Sequence, residues 1–349
     1  MKASSRAKGG GSRRAAPAAP AGKGHNRTLP ALDPRDRLRL YEMMVKIREF
    51  EEQVQRSYLE GLVHGTTHLC QGQEGVAAGA NLALADGDYV SYTYRGHGHC
   101  LARGMEMEPA FAELFGRATG LCAGLGGSMH FTDIGRGLVG AAGIVGGGLP
   151  VAVGAGLSAQ LAGKGQVSAC FFGDGAVNIG AFHESMNIAQ VWRLPVLFIC
   201  ENNLYGEFTR INHTTPFEDL VERAKGYAMP AVQVDGNDVE AVYRATAAAA
   251  ERARAGEGPT FIECKTYRHR GHSRTDPAKY RDPAEVEAWL ARDPIPLHRA
   301  ALIRDGVIAE KDAERIQAEA QREVKAAADR AAAAPWPDPL QDFAAKMFA

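Results

Sequence analysis

The chain has 349 residues, of which 45% are apolar, and a formal net charge of −1 with basic and acidic residues interspersed. This length and apolar content allow a large hydrophobic core, and the balanced charge gives no support to a nucleic-acid-binding surface. The six cysteines are scattered without a Cys-x-x-Cys pair, which favours free thiols in a reducing compartment over disulfides or a zinc site.

Residues 1–30 differ in composition from the rest of the chain. They are rich in Gly, Ala, Pro and Ser and carry basic but no acidic residues. Such a segment cannot bury enough apolar surface to fold alone, so we predict a disordered tail over 1–30 and one α/β domain with C-terminal helices over 31–349. The composition also fits a mitochondrial transit peptide and hence the mitochondrial matrix. Glycine and proline repeats interrupt any amphipathic helix, however, which favours a cytoplasmic protein.

The first predicted helix begins at Asp33-Pro34, an N-cap and first-turn pair. An apolar stripe at helical spacing follows it and stops at Gly61. The opposite face of this helix is charged and includes Arg48 and Glu51. We expect that face to be solvated or to contact another subunit.

Two histidines and an arginine stand in the next segments. A loop over 61–74 carries His68, and a predicted strand over 89–94 is followed by Arg95 and His97. At a strand end, the planar guanidinium of Arg95 suits a pair of diphosphate oxygens or, equally, a structural ion pair. His97 has the chemistry of a proton relay. An isolated loop histidine such as His68 is more often a surface residue.

The stretch 137–163 contains nine glycines, one proline and no charged residue. The glycines and the proline make it poorly apolar and poorly helical, which argues against a membrane span. We predict a buried, glycine-rich helix and loop that allow a neighbouring subunit to pack closely.

The stretch 167–205 predicts a ligand site. An apolar run, a turn at Gly173 and Gly175, a helix and a second apolar run make a right-handed crossover between two parallel, buried strands. Asp174 and Asn203 then leave the carboxyl ends of two strands of one sheet, the edge where α/β sheets bind ligands. The glycine turn and the following helix N-terminus suit a phosphate, and the carboxylate and amide oxygens suit Mg²⁺.

Two commoner phosphate motifs do not fit this stretch. Asn178 stands where a dinucleotide-binding fingerprint needs its third glycine, and Gly180 is followed by Ala181 instead of the lysine of a P-loop. Taken alone, the glycine turn is explained as a simple chain turn and the Asn202-Asn203 pair as the end of a strand. Both together, across one strand-helix-strand unit, favour a ligand site.

Beyond residue 205 the chain alternates strands and helices and then becomes helical. The predicted elements are strands over 232–234 and 260–264 and helices over 218–227, 239–255, 285–292, 296–304 and 309–333. His272 lies in a basic loop over 267–276, and its imidazole suits proton donation beside a diphosphate. The alternation predicts an α/β fold with a doubly wound, mainly parallel sheet and helices on both faces.

Gly173-Asp174-Gly175 and Asn202-Asn203, with twenty-six residues between them, resemble the motif that holds magnesium and diphosphate in thiamine diphosphate enzymes. From residue 36 to residue 281 the chain looks like the alpha subunits of pyruvate dehydrogenase and related 2-oxo acid dehydrogenase components. The resemblance implies a thiamine diphosphate-binding fold with thiamine diphosphate and Mg²⁺ as cofactors.

The resemblance also implies a metal site and a cofactor site. Mg²⁺ would be held by Asp174, Asn203 and the carbonyl of Tyr205. The residues expected at the cofactor are Tyr94, Arg95, Gly143, Val145, Asp174, Gly175, Ala176, Asn203, Tyr205 and His272.

Catalytic groups follow from the same resemblance. His68 and His272 would face the substrate, and His97 is a third catalytic candidate. Ser273 matches a regulatory phosphorylation position in mitochondrial relatives. The bound cofactor would add to the substrate carbonyl and take up the electrons released as carbon dioxide departs.

The implied function is that of one subunit in a complex. The chain would decarboxylate a 2-oxo acid and acylate a lipoyl group on an acyltransferase partner. A glutamate that activates the cofactor comes from a beta subunit in this family, so we expect the chain to be inactive alone and to work in an alpha-beta heterotetramer.

Substrate choice has two candidates. The loop that ends at Arg281 looks pyruvate-type, whereas residues 141–150 look closer to the alpha subunits of acetoin dehydrogenases. We place pyruvate first and acetoin second. A third hypothesis is a non-catalytic subunit that only binds Mg²⁺ and diphosphate as a scaffold, against which the presence of His68, Arg95 and His272 speaks.

Overall fold

The computed structural model describes residues 32–339. The prediction of a disordered tail over 1–30 lies outside these residues, and the cytoplasmic location inferred from that segment stays a prediction. Within residues 32–339 no helix is long and apolar enough to cross a membrane. All six cysteines are free thiols, as the sequence predicts.

Parallel strands build the main sheet of the described chain. The strands are β1 Tyr89–Thr93, β2 Leu138–Ala142, β3 Ser168–Gly173, β4 Val196–Asn202, β5 Tyr205–Gly206, β6 Thr209–Arg210, β7 Ala231–Asp235 and β8 Thr260–Lys265. Six of those described form the sheet in the order β2-β1-β3-β4-β8-β7, with every neighbouring pair parallel. The other two, β5 and β6, form a small antiparallel hairpin.

Helices cover both faces of this sheet. They are α1 Pro34–Leu59, α2 Glu74–Leu82, α3 His97–Ala102, α4 Met107–Leu114, α5 Gly148–Ala162, α6 Gly180–Val191, α7 Val221–Lys225, α8 Val239–Arg254, α9 Pro283–Leu290, α10 Pro294–Arg304 and α11 Glu310–Ala333. Alternate residues of a central strand enter opposite cores: Phe171 packs in the core on the side of α1, and Phe172 in the core with α5 and α6. Burial on both faces is the pattern of a doubly wound sheet, so the predicted fold class is confirmed.

Helix α1 begins as its sequence predicts, because the Asp33 carboxylate caps it by accepting the N–H of Asp36 at 2.8 Å. On its charged face, however, Arg48 and Glu51 are neither solvated nor free to contact another subunit. Arg48 pairs with Glu74 at 2.5 Å, and Glu51 is buried and accepts the N–H of Cys70. The prediction for these residues is wrong because α2 and the loop before it pack on this face.

The glycine-rich stretch differs from its prediction in two ways. It forms an edge strand, β2, which pairs with β1, before the loop and helix α5. Glycine and alanine give little strand signal, since strand propensity comes mainly from β-branched and aromatic residues. Helix α5 is also not wholly buried, because the side chains of Val151 and Leu161 are 49% and 79% exposed.

The crossover from β3 to β4 forms as predicted, with Gly173 opposite Glu201 in the parallel ladder. One local difference lies between β3 and α6, where residues Asp174–Asn178 form a short 3₁₀ helix and α6 starts only at Gly180. The backbone beside Asp174 therefore belongs to the 3₁₀ turn instead of the N-terminus of α6.

A buried carboxylate holds the loop that follows α4. Glu113 accepts backbone N–H groups from Cys122, Gly124, Gly126 and Gly127 at 2.7–3.0 Å. Each carboxylate oxygen receives two of these bonds, so the loop is organised around one side chain.

We expect Glu113→Gln to lower the free energy of unfolding by about 3 kcal/mol, because the amide nitrogen would face two backbone donors that lose their acceptor. Chemical denaturation measures this loss. The matched control is Glu108→Gln, which removes only an exposed ion pair with Arg330 and should change stability by less than about 1 kcal/mol. Equal losses in the two variants would contradict the role of Glu113.

Candidate functional site

A cavity of about 890 Å³ opens at the carboxyl ends of β1, β3 and β4. It contains nearly all the predicted site residues, which are His68, Tyr94, Arg95, Gly143, Val145, Asp174, Gly175, Ala176, Asn203, Tyr205 and His272. His97 is the one predicted site residue that does not line it. The sequence-based choice of this sheet edge therefore agrees with the position of the cavity.

Asp174 and Asn203 follow neighbouring strands and are both buried. Oδ2 of Asp174 is buried and has no hydrogen-bond partner among the described residues. Burial raises the pKa of this carboxyl to about 6, although backbone N–H groups and the charge of Arg268 act in the opposite direction. A buried carboxylate that lacks a partner is costly in free energy, so this oxygen suits a cation.

The chemistry of the donors fits Mg²⁺ better than a transition metal. No cluster of three or more His, Cys, Asp or Glu side chains capable of holding a metal occurs in residues 32–339. A site at Asp174 would therefore use one carboxylate with amide and carbonyl oxygens, and Mg²⁺ accepts such a set when phosphate and water complete its shell.

The loops after β3 and β4 approach closely beside this pair. A Cβ atom added to Gly175 would lie 3.2 Å from the Cα of Gly206, a contact tighter than ordinary packing. Glycine at position 175 therefore lets the two loops meet at the cavity wall.

Arg268 is a site residue that the sequence analysis missed. Its side chain is 1% exposed and lines the cavity, and its Nη2 donates to the carbonyl of Glu207 at 3.0 Å. Nε and Nη1 are buried and have no partner in the part of the chain that the structure describes. Burial, and then the charges of Arg95 and Arg281, lower the pKa of Arg268 to about 10. A bound anion would stabilise a buried cation whose nitrogens lack partners.

Arg95 also lies at the cavity, but its guanidinium already has partners. Nη1 donates to the carbonyl of Leu69 at 2.6 Å, and Nη2 donates to the carbonyl of His272 at 2.8 Å. It thereby joins the loop of His68 to the loop of His272. Both acceptors are backbone carbonyls, so the structural ion pair considered from the sequence does not form in these contacts. The contact of Arg95 with a diphosphate stays a prediction.

The two predicted substrate histidines lie together. The ring centroids of His68 and His272 are 4.9 Å apart, and the ring of His68 is 4.4 Å from that of Tyr94. Burial, followed by the charge of Arg95, lowers the pKa of His68 to about 3 and that of His272 to about 4. Both imidazoles are therefore neutral at pH 7, and a neutral imidazole both donates and accepts hydrogen bonds.

His97 is not placed to act on a ligand in this cavity. Its ring is buried, with Nδ1 3.1 Å from a carboxylate oxygen of Glu51 and Nε2 2.9 Å from the hydroxyl of Ser128. His97 is the first residue of α3, and its ring lies between Glu51 of α1 and Ser128. The geometry fits a residue that anchors the loop containing Ser128, and the catalytic role predicted for His97 receives no support from it.

A doubly wound parallel sheet with a cavity at the carboxyl ends of its strands places the chain in the class of α/β proteins that bind ligands at this edge. The family model described as "Dehydrogenase E1 component" matches residues 42–340. The chain therefore belongs to the dehydrogenase E1 component family, whose members are thiamine diphosphate-dependent oxidoreductases.

Individual relatives agree with this family. The chain is 47% identical to the alpha subunit of acetoin:2,6-dichlorophenolindophenol oxidoreductase of Bacillus subtilis over 76% of this chain and 80% of the relative. It is 41% identical to the protein of that name from Cupriavidus necator, over 88% and 93% of the two chains. It is also 41% identical to the pyruvate dehydrogenase E1 component subunit alpha of Rhizobium meliloti, over 89% and 90%. The predicted resemblance to these alpha subunits is confirmed.

Proposed function

We propose that this chain is the alpha subunit of a thiamine diphosphate-dependent dehydrogenase that cleaves a carbon–carbon bond beside a carbonyl group, with acetoin or pyruvate as substrate. The observation that carries the proposal is the buried, unpartnered Oδ2 of Asp174 beside Asn203 in the cavity. An isolated buried carboxylate is unfavourable in the protein alone, and a bound metal ion would compensate its charge.

In this proposal Asp174, the Asn203 carboxamide and the Tyr205 carbonyl hold Mg²⁺. Arg268 donates its free Nε–H and Nη1–H to the diphosphate, and Gly175 and its neighbours approach the diphosphate with their backbone. The remaining cofactor contacts are those predicted from sequence for Tyr94, Arg95, Gly143, Val145, Ala176 and His272. Thiamine diphosphate, when bound, supplies a nucleophilic carbon and a ring that accepts electrons.

The two neutral histidines act on the substrate. Because their pKa values lie well below 7, His68 and His272 can hydrogen-bond to a substrate carbonyl oxygen without adding a charge to the cavity. A proton held on one ring nitrogen is then available when negative charge develops on that oxygen.

The chain works with partners in this proposal. Apolar side chains around the loop and helix α5 are solvent-exposed, with Ile144 80% and Leu161 79% exposed. Exposed apolar side chains along this loop and helix are compatible with a protein interface, which supports a beta subunit packed here and an alpha-beta heterotetramer. The fragment left after bond cleavage passes to a lipoyl group on an acyltransferase partner.

Acetoin and pyruvate are the two candidate substrates in this proposal. The loop over 271–281 favours pyruvate by resemblance. Two relatives named for acetoin are 47% and 41% identical to the chain, and a relative named for pyruvate is 41% identical. Together with the acetoin-like residues 141–150, this supports acetoin as the first candidate and pyruvate as the second.

The experiment is a reconstitution. The chain is purified alone and with a co-expressed beta subunit, and reduction of dichlorophenolindophenol is measured with acetoin, pyruvate and branched 2-oxo acids in the presence of thiamine diphosphate and Mg²⁺. We expect no turnover by the single chain and turnover of acetoin or pyruvate by the pair. Turnover by the single chain, or none by a pair that assembles and binds the cofactor, would overturn the proposal.

The dependence of activity on pH tests the metal site separately. Since the pKa of Asp174 is about 6, protonation competes with the metal below that pH. The pH of half-maximal kcat/KM on the acid side should fall by about one unit for each tenfold increase in Mg²⁺, because the metal displaces the proton. Profiles at two Mg²⁺ concentrations with saturating cofactor measure this shift. An acid limb that does not move with Mg²⁺ would assign it to another group.

A further inference from the structure

We propose that Gln73 is a positioning residue that turns the oxygen of the Asn203 carboxamide, instead of its nitrogen, towards the metal. The inference rests on the proposed Mg²⁺ site at Asp174 and Asn203. Gln73 is fully buried at the start of α2 and lines the cavity, and its side chain touches two residues at the end of β4.

A carboxamide can sit in its pocket in two orientations that differ by exchange of oxygen and nitrogen. Only the oxygen binds a metal ion such as Mg²⁺. In the structure, Nδ2 of Asn203 donates to Oε1 of Gln73 at 3.2 Å, and Oδ1 accepts the N–H of Tyr205 at 3.3 Å. The orientation that suits a metal is therefore the one in which Gln73 offers an acceptor.

Glu201 decides which end of Gln73 faces Asn203. Nε2 of Gln73 donates to Oε1 of Glu201 at 3.1 Å. A carboxylate only accepts hydrogen bonds, so the nitrogen of Gln73 must point to Glu201 and its oxygen to Asn203.

The other oxygen of Glu201 is held by a second buried chain. Nδ2 of Asn81 donates to the carbonyl of Ala77 at 2.8 Å, which fixes that amide, and lies 3.1 Å from Nδ1 of His99. Nδ1 of His99 therefore accepts, and Nε2 carries the hydrogen that it donates to Oε2 of Glu201 at 3.3 Å. The direction of every bond from Asn81 to Asn203 is thus set by groups with one possible role.

The test measures metal binding directly on the alpha-beta assembly with thiamine diphosphate present. Mn²⁺ replaces Mg²⁺, and free Mn²⁺ is followed by electron paramagnetic resonance. Gln73→Met keeps the size of the side chain and removes both hydrogen bonds. We expect the Kd for Mn²⁺ to rise about 10-fold to 100-fold, as for other groups that orient a metal ligand.

A second genetic background separates the effect of Gln73 on the orientation of the side chain at position 203 from its effect on packing. In the Asn203→Asp background the metal-binding side chain has two equivalent oxygens, so its orientation no longer matters and Gln73→Met should not weaken Mn²⁺ binding further. An unchanged Kd for Gln73→Met, or the same loss in both backgrounds, would overturn the role of Gln73. If Gln73→Met does not fold, Glu201→Gln releases Gln73 in the same way and is compared across the same two backgrounds.

Asp174→Asn distinguishes this inference from the proposed metal site. It should abolish tight Mn²⁺ binding, and if it does not, the metal site and the role of Gln73 are both overturned. If Asp174→Asn abolishes binding and Gln73→Met leaves it unchanged, only the role of Gln73 is overturned.

Discussion

Asp174→Asn is expected to lower activity by on the order of 10³-fold, because a metal at this position supplies several kcal/mol of stabilisation that the amide cannot replace. The variant keeps the size of the side chain and one oxygen, so the cavity should retain its shape. It loses the negative charge that would bind the cation. Dye reduction by the alpha-beta assembly, together with calorimetric titration of thiamine diphosphate at saturating Mg²⁺, measures both losses.

The same substitution should change how stability depends on pH. The pKa of Asp174 is raised from 3.8 to about 6 in the folded protein, so the folded state binds more protons than the unfolded state between these values. Stability of the cofactor-free protein then falls as pH rises through this window, by about 3 kcal/mol for this one group. From pH 3.8 to pH 7, the free energy of unfolding of Asp174→Asn should therefore rise by about 3 kcal/mol relative to that of the wild type.

Denaturant unfolding without metal or cofactor at several pH values between 4 and 7 tests this second result. The control is Asp86→Asn, the same chemical change at an exposed carboxyl, for which the difference from wild type should stay nearly constant. A difference between wild type and Asp174→Asn that does not vary with pH would contradict the burial argument, and full activity of the variant would contradict the metal site.

Arg268→Met is expected to have the second largest effect. Two buried nitrogens of the guanidinium, Nε and Nη1, have no hydrogen-bond partner among the described residues. Hydrogen bonds to charged groups are worth about 1.5–3 kcal/mol each, so loss of this side chain should raise the Kd for thiamine diphosphate on the order of 10²-fold. The fold should be retained, because removal of a buried cation near Arg95 and Arg281 relieves electrostatic repulsion.

The matched control is Arg270→Met, which removes an arginine of the same loop. Arg270 is exposed and bonds to Gln71 and Glu52 outside the cavity lining. Its loss should change the Kd for thiamine diphosphate less than about 3-fold. Titration of the cofactor into both variants at saturating Mg²⁺ compares them. Equal increases in this Kd would show that the overall charge of the loop, and not the buried guanidinium of Arg268, attracts the diphosphate.

The main features of the fold follow from local patterns. The apolar runs around 167–172 and 194–200, with a helix between them, predicted the central crossover, because parallel strands buried on both faces read as continuous apolar runs. Asp174 and Asn203 were found for the same reason, since residues that follow such strands meet at one sheet edge. Edge strand β2 escaped prediction because its glycines and alanines lack a strand signal.

The hydrogen-bond partners of the polar site residues, in contrast, come from segments far apart in the chain. Nε and Nη1 of Arg268 have no hydrogen-bond partner among the described residues, Arg95 joins two loops, and the ring of His97 lies beside Glu51. None of these facts is visible in the residue types or their spacing. Gln73 is separated from Glu201 by 128 residues and from Asn203 by 130. The sequence by itself therefore determined the sheet, its ligand-binding edge and the family, because these depend on short-range periodicity and on motifs at strand ends. Only the tertiary structure decided which polar groups are buried without a partner and which way each amide faces, because burial and hydrogen bonding depend on residues that folding alone brings together.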